Sequence, residues 1–263
     1  YNNEFTDENI SKTLNCMINF SKKLKQFNVD VYRCIATEAC RQVINSEFFI
    51  EKVRSKTGIN VEVISSQEEA ELSLKSCEKY FNKIGKHGVI FDIGGGSTEF
   101  TFFDSKKKIF NSRSISFGVI NLSEKKELFD EKRIHKQLFD HFHLFKNDLL
   151  ELLNPNFVSI GSCSTVTTLC AIYQNLKYFD LKKIEGYEMN KEDLLGSISS
   201  ITKKSKAELR RLPCVGSRYK LLLNGVIILK FILEIFPINK VIVTQLGLRE
   251  DILKNLIEKY EKN

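Results

Sequence analysis

Apolar residues at Ile10, Leu14, Met17, Ile18 and Leu24 recur at helical spacing behind Asp7, which predicts an amphipathic helix capped by that aspartate. Val31 to Ala36 reads as a short buried strand. Glu38 to Val53 reads as helix in two pieces stopped by Gly58, and Val61 to Ile64 as a second strand ahead of a helix from Ser66 to Phe81. Strand alternating with helix predicts a parallel sheet with helical crossovers. The pattern breaks at Gly85 to Gly88, where a lobe boundary is expected, and restarts with strand Val89 to Ile93. Two further β-rich runs, Glu99 to Phe103 and Ile109 to Phe117, flank the polar turn Asp104 to Lys108. Beyond them the spacing predicts a long helix from Glu131 to Leu153, a strand from Phe157 to Ile160, and helices at Thr165 to Leu176 and Lys191 to Lys203. An apolar helix from Ser217 to Phe236, a strand from Lys240 to Thr244 and a closing helix from Leu248 to Tyr260 complete the pattern.

Composition narrows the class. Over 263 residues, 42% apolar and 28% charged positions describe a globular chain, not a disordered one. A formal charge of +7, from 40 Lys+Arg against 33 Asp+Glu, favours an anionic partner but is mild for a nucleic-acid binder, so none is expected. The seven cysteines, 16, 34, 40, 77, 163, 170 and 214, contain no Cys-x-x-Cys and read as reduced thiols of a cytoplasmic protein. The greasiest stretch, Leu221 to Phe236, carries Asn224, Lys230 and Glu234, so it reads as a buried helix; a membrane span needs about 20 largely uncharged residues. The histidines at 87, 135, 141 and 143 show no metal-ligand spacing beside a carboxylate.

Three strand-to-loop junctions carry candidate chemistry. In Asp92-Ile-Gly-Gly-Gly-Ser-Thr-Glu99 a hydrophobic strand delivers Asp92 to its end, and Gly94, Gly95 and Gly96 let backbone amides approach an anion without Cβ obstruction. Ser97 and Thr98 can add hydroxyl donors, and Asp92 is placed to bind Mg²⁺ directly or through water. A plain glycine turn would not need three glycines between an aspartate and Ser-Thr-Glu. The second junction, Ser65-Ser-Gln-Glu-Glu-Ala70, has two readings. Ser65 with Glu68, or Ser66 with Glu69, can form a capping box, or Glu69 can act as a general base; spacing alone leaves both open. The third, Gly161, Ser162, Cys163, Ser164 and Thr165, is a strand, small-residue loop and helix start where an anion could sit, although small residues are common at such turns. Arg41 and Arg218 are candidate phosphate clamps. The run Lys203, Lys204 and Lys206 and the pair Arg210 and Arg211 read as a solvated face.

Together these segments resemble the Ppx/GppA family of exopolyphosphatases and guanosine pentaphosphate phosphatases. The resemblance runs from Ala36-Thr-Glu-Ala-Cys-Arg-Gln42 through Thr57 to Ala70 and Asp92 to Glu99. It continues through Gly161 to Thr165 and Leu212-Pro213 to Gly247-Leu-Arg-Glu250. It implies an α/β actin-like ATPase (ribonuclease H-like) fold: two lobes of mixed sheets flanked by helices, with the active site between them. Residues 1–87 would form an N-terminally incomplete first lobe and 88–247 the second, with 248–263 a C-terminal helix packing back on the first. It further implies Glu69 as the water-activating glutamate, Asp92 and Glu99 as Mg²⁺-associated carboxylates, Gly94 to Thr98 as the phosphate loop and Arg41 as a phosphate contact. The family's opening Asp-x-Gly-Ser-Asn loop has no counterpart here, so the chain is expected to be a piece of a longer or truncated product. Ser162-Cys-Ser-Thr165 lacks the usual Gly before Thr, and Arg218-Tyr-Lys220 stands where Arg-x-Asp is frequent. The implied activity is Mg²⁺-dependent removal of terminal phosphate from polyphosphate or a guanosine polyphosphate. A non-catalytic polyphosphate or (p)ppGpp binder and an actin-like kinase are the alternatives. No membrane partner is expected, and the oligomeric state, a homodimer included, stays open.

Overall fold

The computed structural model describes residues 4–83, 87–104, 109–115, 117–124, 135–136, 139–140 and 158–261. The helix expected over 131–153, with His141 and His143, lies almost wholly outside these residues, as do half of the Gly85–Gly88 break and most of the 104–108 turn.

The chain divides into two compact units, Tyr1–Glu69 with Arg249–Asn263, and Ala70–Leu248. In the first, helix α1 (Asp7–Gln26) is capped by Thr6, whose hydroxyl accepts from the Asn9 amide; Asp7 occupies the first helical position instead of the cap. There its charge still complements the helix dipole. Strand β1 (Cys34–Ala36) lies parallel to β2 (Val61–Val63), with Ala36 opposite Val63. The expected buried strand from Val31 is shorter and less buried: Val31 and Tyr32 are exposed, and β1 is half-buried. Between the strands run α2 (Glu38–Gln42) and α3 (Ser46–Thr57), the latter ended by Gly58 in the left-handed conformation (φ 74°). Ile10, Cys40, Phe49, Val53 and Ile59 form this unit's core. Helix α11 (Leu248–Glu261) contributes its residues from Arg249 onward to the unit.

The second unit is built on a six-stranded sheet of order β5-β4-β3-β6-β8-β7, from β3 (His87–Ile93), β4 (Thr98–Asp104), β5 (Ile109–Ile115), β6 (Val158–Gly161), β7 (Glu188–Asn190) and β8 (Lys240–Val243). Strands β3, β6 and β8 are parallel, so the loops that follow them gather at one end of the sheet. Period-2 alternation sorts the two faces. Val89, Phe91, Ile93, Phe100 and Phe102 enter the larger core, while Ile90 and Phe103 pack on the other face with Leu74, Cys77 and Tyr80. This packing of Leu74, Cys77 and Tyr80 ties the segment before β3 to the second unit, so the division falls inside α4 (Ser66–Ser76) and not at the glycines. The apolar helix α10 (Tyr219–Ile235) is buried against the sheet with α5 (Val119–Glu124), α6 (Ser164–Tyr173) and α8 (Lys191–Thr202). Helices α5, α7 (Leu181–Ile184) and α9 (Lys206–Arg211) and strand β7 were not anticipated, each being too short for a periodic signal. Among the described residues no helix is long and apolar enough to cross a membrane.

Candidate functional site

The Gly94–Thr98 loop leaves the end of β3 and re-enters the sheet as β4, with Asp92 directly opposite Glu99 in the antiparallel register. Directly opposed residues share a face, with Cβ atoms about 4.5–5.5 Å apart, and like charges so placed repel. Both side chains therefore leave the sheet at the loop end of the face that carries Ile90 and Phe103. The Ser97 hydroxyl donates to Glu99 Oε1, and Ser114 Oγ donates to the same oxygen at 3.0 Å. The Thr98 hydroxyl, fully buried, donates to the Phe117 carbonyl at 2.6 Å, which makes it a brace of the loop and not a ligand donor.

The back of the loop is held by helix α5. The amides of Val119 and Ile120 donate to the carbonyls of Gly94 (3.0 Å) and Gly95 (2.8 Å), and the Gly94 amide donates to the Ser97 carbonyl (2.9 Å). Gly118 lies so close that a Cβ there would sit 2.2 Å from the Gly95 oxygen. The buried Asn224 side chain of α10 donates to the Val119 carbonyl at 2.7 Å, which explains an amide inside an otherwise apolar helix. Gly118 and Asn224, like Ser114, are supports of this loop that sequence reasoning missed.

The second loop, from β6 into α6, stands beside the first because β6 is β3's parallel neighbour. Its Ser162 amide donates to the Phe91 carbonyl (2.9 Å) and its Ser162 hydroxyl to the Leu246 carbonyl. Thr165 is buried against Gly225, and of the candidate residues only Ser164 is exposed. The Cys163 thiol is pushed up to about 12, first by burial and next by the Asp92 carboxylate, against nearby backbone amides. Cys77 is likewise pushed up to about 12, chiefly by burial, so neither thiol is a ready nucleophile.

The segment after β8 is fixed by Glu185. This carboxylate accepts from Thr244 Oγ1 (2.7 Å), the Gln245 amide (2.9 Å) and the Tyr80 hydroxyl, with Lys79 Nζ at 3.1 Å. Burial pulls its pKa up, but these donors outweigh burial and hold it below the usual carboxylate value of 4.5. A depressed folded pKa gives stability that is complete above about pH 4.5 and lost as pH falls through the folded value. Urea unfolding of Glu185→Gln should accordingly show lower stability at neutral pH and a flatter decline below pH 4.5 than the parent.

In the first unit, parallel pairing of β1 and β2 sets the loops that follow them side by side, which brings Arg41 and Glu69 together across 28 positions. Arg41 Nη2 donates to Glu69 Oε2 at 2.9 Å, and Nη1 donates to the Ile64 carbonyl at 2.8 Å. The cap of α4 excludes Glu69 from the capping box. Ser65 Oγ accepts from the Glu68 amide (3.1 Å), whereas Glu69 stands one residue beyond the box position. The Glu68 side chain pairs instead with Arg33 (2.7 Å). Glu69 thus has no capping duty. Arg218 is exposed and donates to the Cys214 carbonyl (3.3 Å), with no ion pair among the described residues. The basic residues Lys203, Lys206, Arg210 and Arg211 are exposed, with Arg210 stacked over Tyr219 at 5.0 Å.

The sequence model of the Ppx/GppA phosphatase family matches residues 1–260. The chain belongs to this family. It is 30% identical over 253 residues to a bifunctional 3-dehydroquinate synthase/phosphatase of Fusobacterium nucleatum, covering 91% of this chain and 37% of that protein. It is 26% identical over 222 residues to exopolyphosphatase 2 of Mycobacterium tuberculosis, covering 78% of this chain and 67% of that one. The crystal structure of the Aquifex aeolicus Ppx/GppA family member matches 99% of this chain and 84% of its own, with a TM-score of 0.73 at 28% identity. The α/β fold is thus that of the Ppx/GppA proteins, as the motifs implied.

Among the described residues no group of three or more His, Cys, Asp and Glu is arranged to hold a metal ion. The opposed pair Asp92 and Glu99 nevertheless fits Mg²⁺, which keeps several waters and binds through one or two carboxylates plus substrate phosphate. A cation there would also offset the repulsion built into the register.

Proposed function

We propose that this Ppx/GppA protein acts as an Mg²⁺-dependent phosphoanhydride hydrolase that releases terminal phosphate from inorganic polyphosphate or guanosine pentaphosphate. The observation that carries the reading is the register pair Asp92 and Glu99 beside a glycine loop whose carbonyls are turned back onto α5. The name of the mycobacterial relative, an exopolyphosphatase, supports polyphosphate as the substrate.

In this reading Glu69 takes a proton from water as the water oxygen bonds to the terminal phosphorus. The bond from phosphorus to the bridging oxygen breaks, and the electron pair stays with the shortened chain. Asp92 and Glu99 would hold Mg²⁺, which would neutralise phosphate charge. The loop amides orient the phosphate, and the Ser97 and Ser114 hydroxyls fix Glu99.

The test is orthophosphate release by the full-length gene product from long-chain polyphosphate and from guanosine pentaphosphate, with Mg²⁺ and with a chelator. Release that depends on Mg²⁺ is expected, with polyphosphate the better substrate. Binding of either compound without any release would assign the protein to the non-catalytic alternative.

A further inference from the structure

Arg41 occupies the position that the motif assigns to a phosphate contact, yet its hydrogen bonds are already made within the protein. A guanidinium offers five N–H donors, and a bidentate grip on phosphate needs two of them on one edge. Here Nε (3.2 Å) and Nη2 (2.9 Å) both donate to Glu38 Oε2. The other Nη2 hydrogen goes to Glu69 Oε2 (2.9 Å), and Nη1 donates to the Ile64 carbonyl (2.8 Å). One N–H remains, which is too few for a fork.

The setting reinforces this count. The side chains of Arg41, Glu38 and Glu69 are only 18%, 22% and 13% exposed, so water screens the pairs weakly. A phosphate approaching Arg41 would have to displace one carboxylate and stand close to the other. Glu38 is itself fixed, since its Oε1 accepts from the Gln42 amide group. Glu69 Oε1 has no partner among the described residues, which leaves that oxygen to receive a proton.

We infer that Arg41, held from behind by Glu38, is a positioning residue for Glu69 and not a phosphate clamp. The inference rests on the reading of Glu69 as the base that activates water. Glu38, which no motif singled out, then belongs to the machinery: it fixes the guanidinium, and the guanidinium fixes the orientation of the base.

Steady-state kinetics of Arg41→Gln in the full-length gene product separate the two roles. A positioning residue lowers kcat by about 100-fold, as expected for a misplaced base, and leaves KM within about twofold. Glu38→Ala should lower kcat by about tenfold with KM again unchanged, and it guards against misfolding of the arginine variant. A KM raised about tenfold or more at retained kcat would overturn the inference. Guanidinium ¹⁵N NMR provides a readout that needs no turnover. Hydrogen exchange at Arg41 should be slow in the parent and faster in Glu69→Ala and in Glu38→Ala, and tripolyphosphate should leave its resonance in place. Exchange unaffected by either variant would overturn the pairing even if the protein cleaves nothing. Failure of the hydrolase reading appears separately, as absence of phosphate release by the parent.

Discussion

Replacing Glu69 by alanine in the full-length gene product is expected to cut phosphate release by about 10²–10⁴-fold, the usual contribution of a general base, while leaving the fold intact. The second half of that expectation follows from the start of α4. Ser65 caps the helix through the Glu68 amide, and the Glu69 amide makes an ordinary helical bond to the Ser65 carbonyl at 3.0 Å, which alanine preserves. Arg41 keeps Glu38 and the Ile64 carbonyl, so no buried cation is left unpaired. Phosphate release and circular dichroism on the same sample check both halves. Undiminished release would remove Glu69 from the mechanism, and a melted spectrum would show that it has a structural duty.

The other large effect is expected at Gly118. A Cβ there would lie 2.2 Å from the Gly95 oxygen, 2.3 Å from the Gly95 carbonyl carbon and 2.5 Å from the Gly96 nitrogen. All three are backbone atoms, which cannot rotate aside as a side-chain tip can. Gly118→Ala must therefore push the glycine loop off α5, weakening the bonds from Val119 and Ile120 to the Gly94 and Gly95 carbonyls. A cost of about 1–3 kcal/mol in stability is expected from the overpacking, together with about a 100-fold loss of turnover from the displaced loop. Gly95→Ala is the control. Its Cβ would meet only the Ile120 side chain, Cδ1 at 3.1 Å and Cγ1 at 3.7 Å, whose end can give way. Thermal unfolding and phosphate release should rank the parent above Gly95→Ala and Gly95→Ala above Gly118→Ala. Parity of Gly118→Ala with the parent would mean that the loop is not seated on α5.

The parts of this site that were legible in the chain are those whose signal is local. Three glycines after an apolar strand announce a loop, and Asp92 and Glu99 flank it at a spacing that makes them register partners once it is read as a β turn-back. Supports from distant segments were not legible. Gly118 is a lone glycine in Phe-Gly-Val, and its need for a hydrogen side chain arises from a loop more than twenty residues away. Asn224 was read only as an interruption of an apolar helix because its acceptor, the Val119 carbonyl, is 105 residues distant. The capping ambiguity at Glu68 and Glu69 turned on a one-residue shift of the helix start, a detail that pattern reading resolves poorly. Arg41 was recognisable as a site residue, but its engagement with Glu38 and Glu69 depends on the parallel pairing of β1 and β2. The short helix α9 had a local signature that was overlooked: Ser205 and Glu208 form a complete capping box amid the basic run.

In the proposed mechanism the loop from Asp92 to Glu99 holds Mg²⁺ and phosphate for hydrolysis. Its most direct test is orthophosphate release from polyphosphate by the full-length Asp92→Asn variant across an Mg²⁺ titration. Asparagine keeps the shape of the side chain and removes its charge opposite Glu99. A loss of turnover accompanied by a higher Mg²⁺ requirement is the predicted result. Parental turnover with an unchanged Mg²⁺ requirement would contradict it.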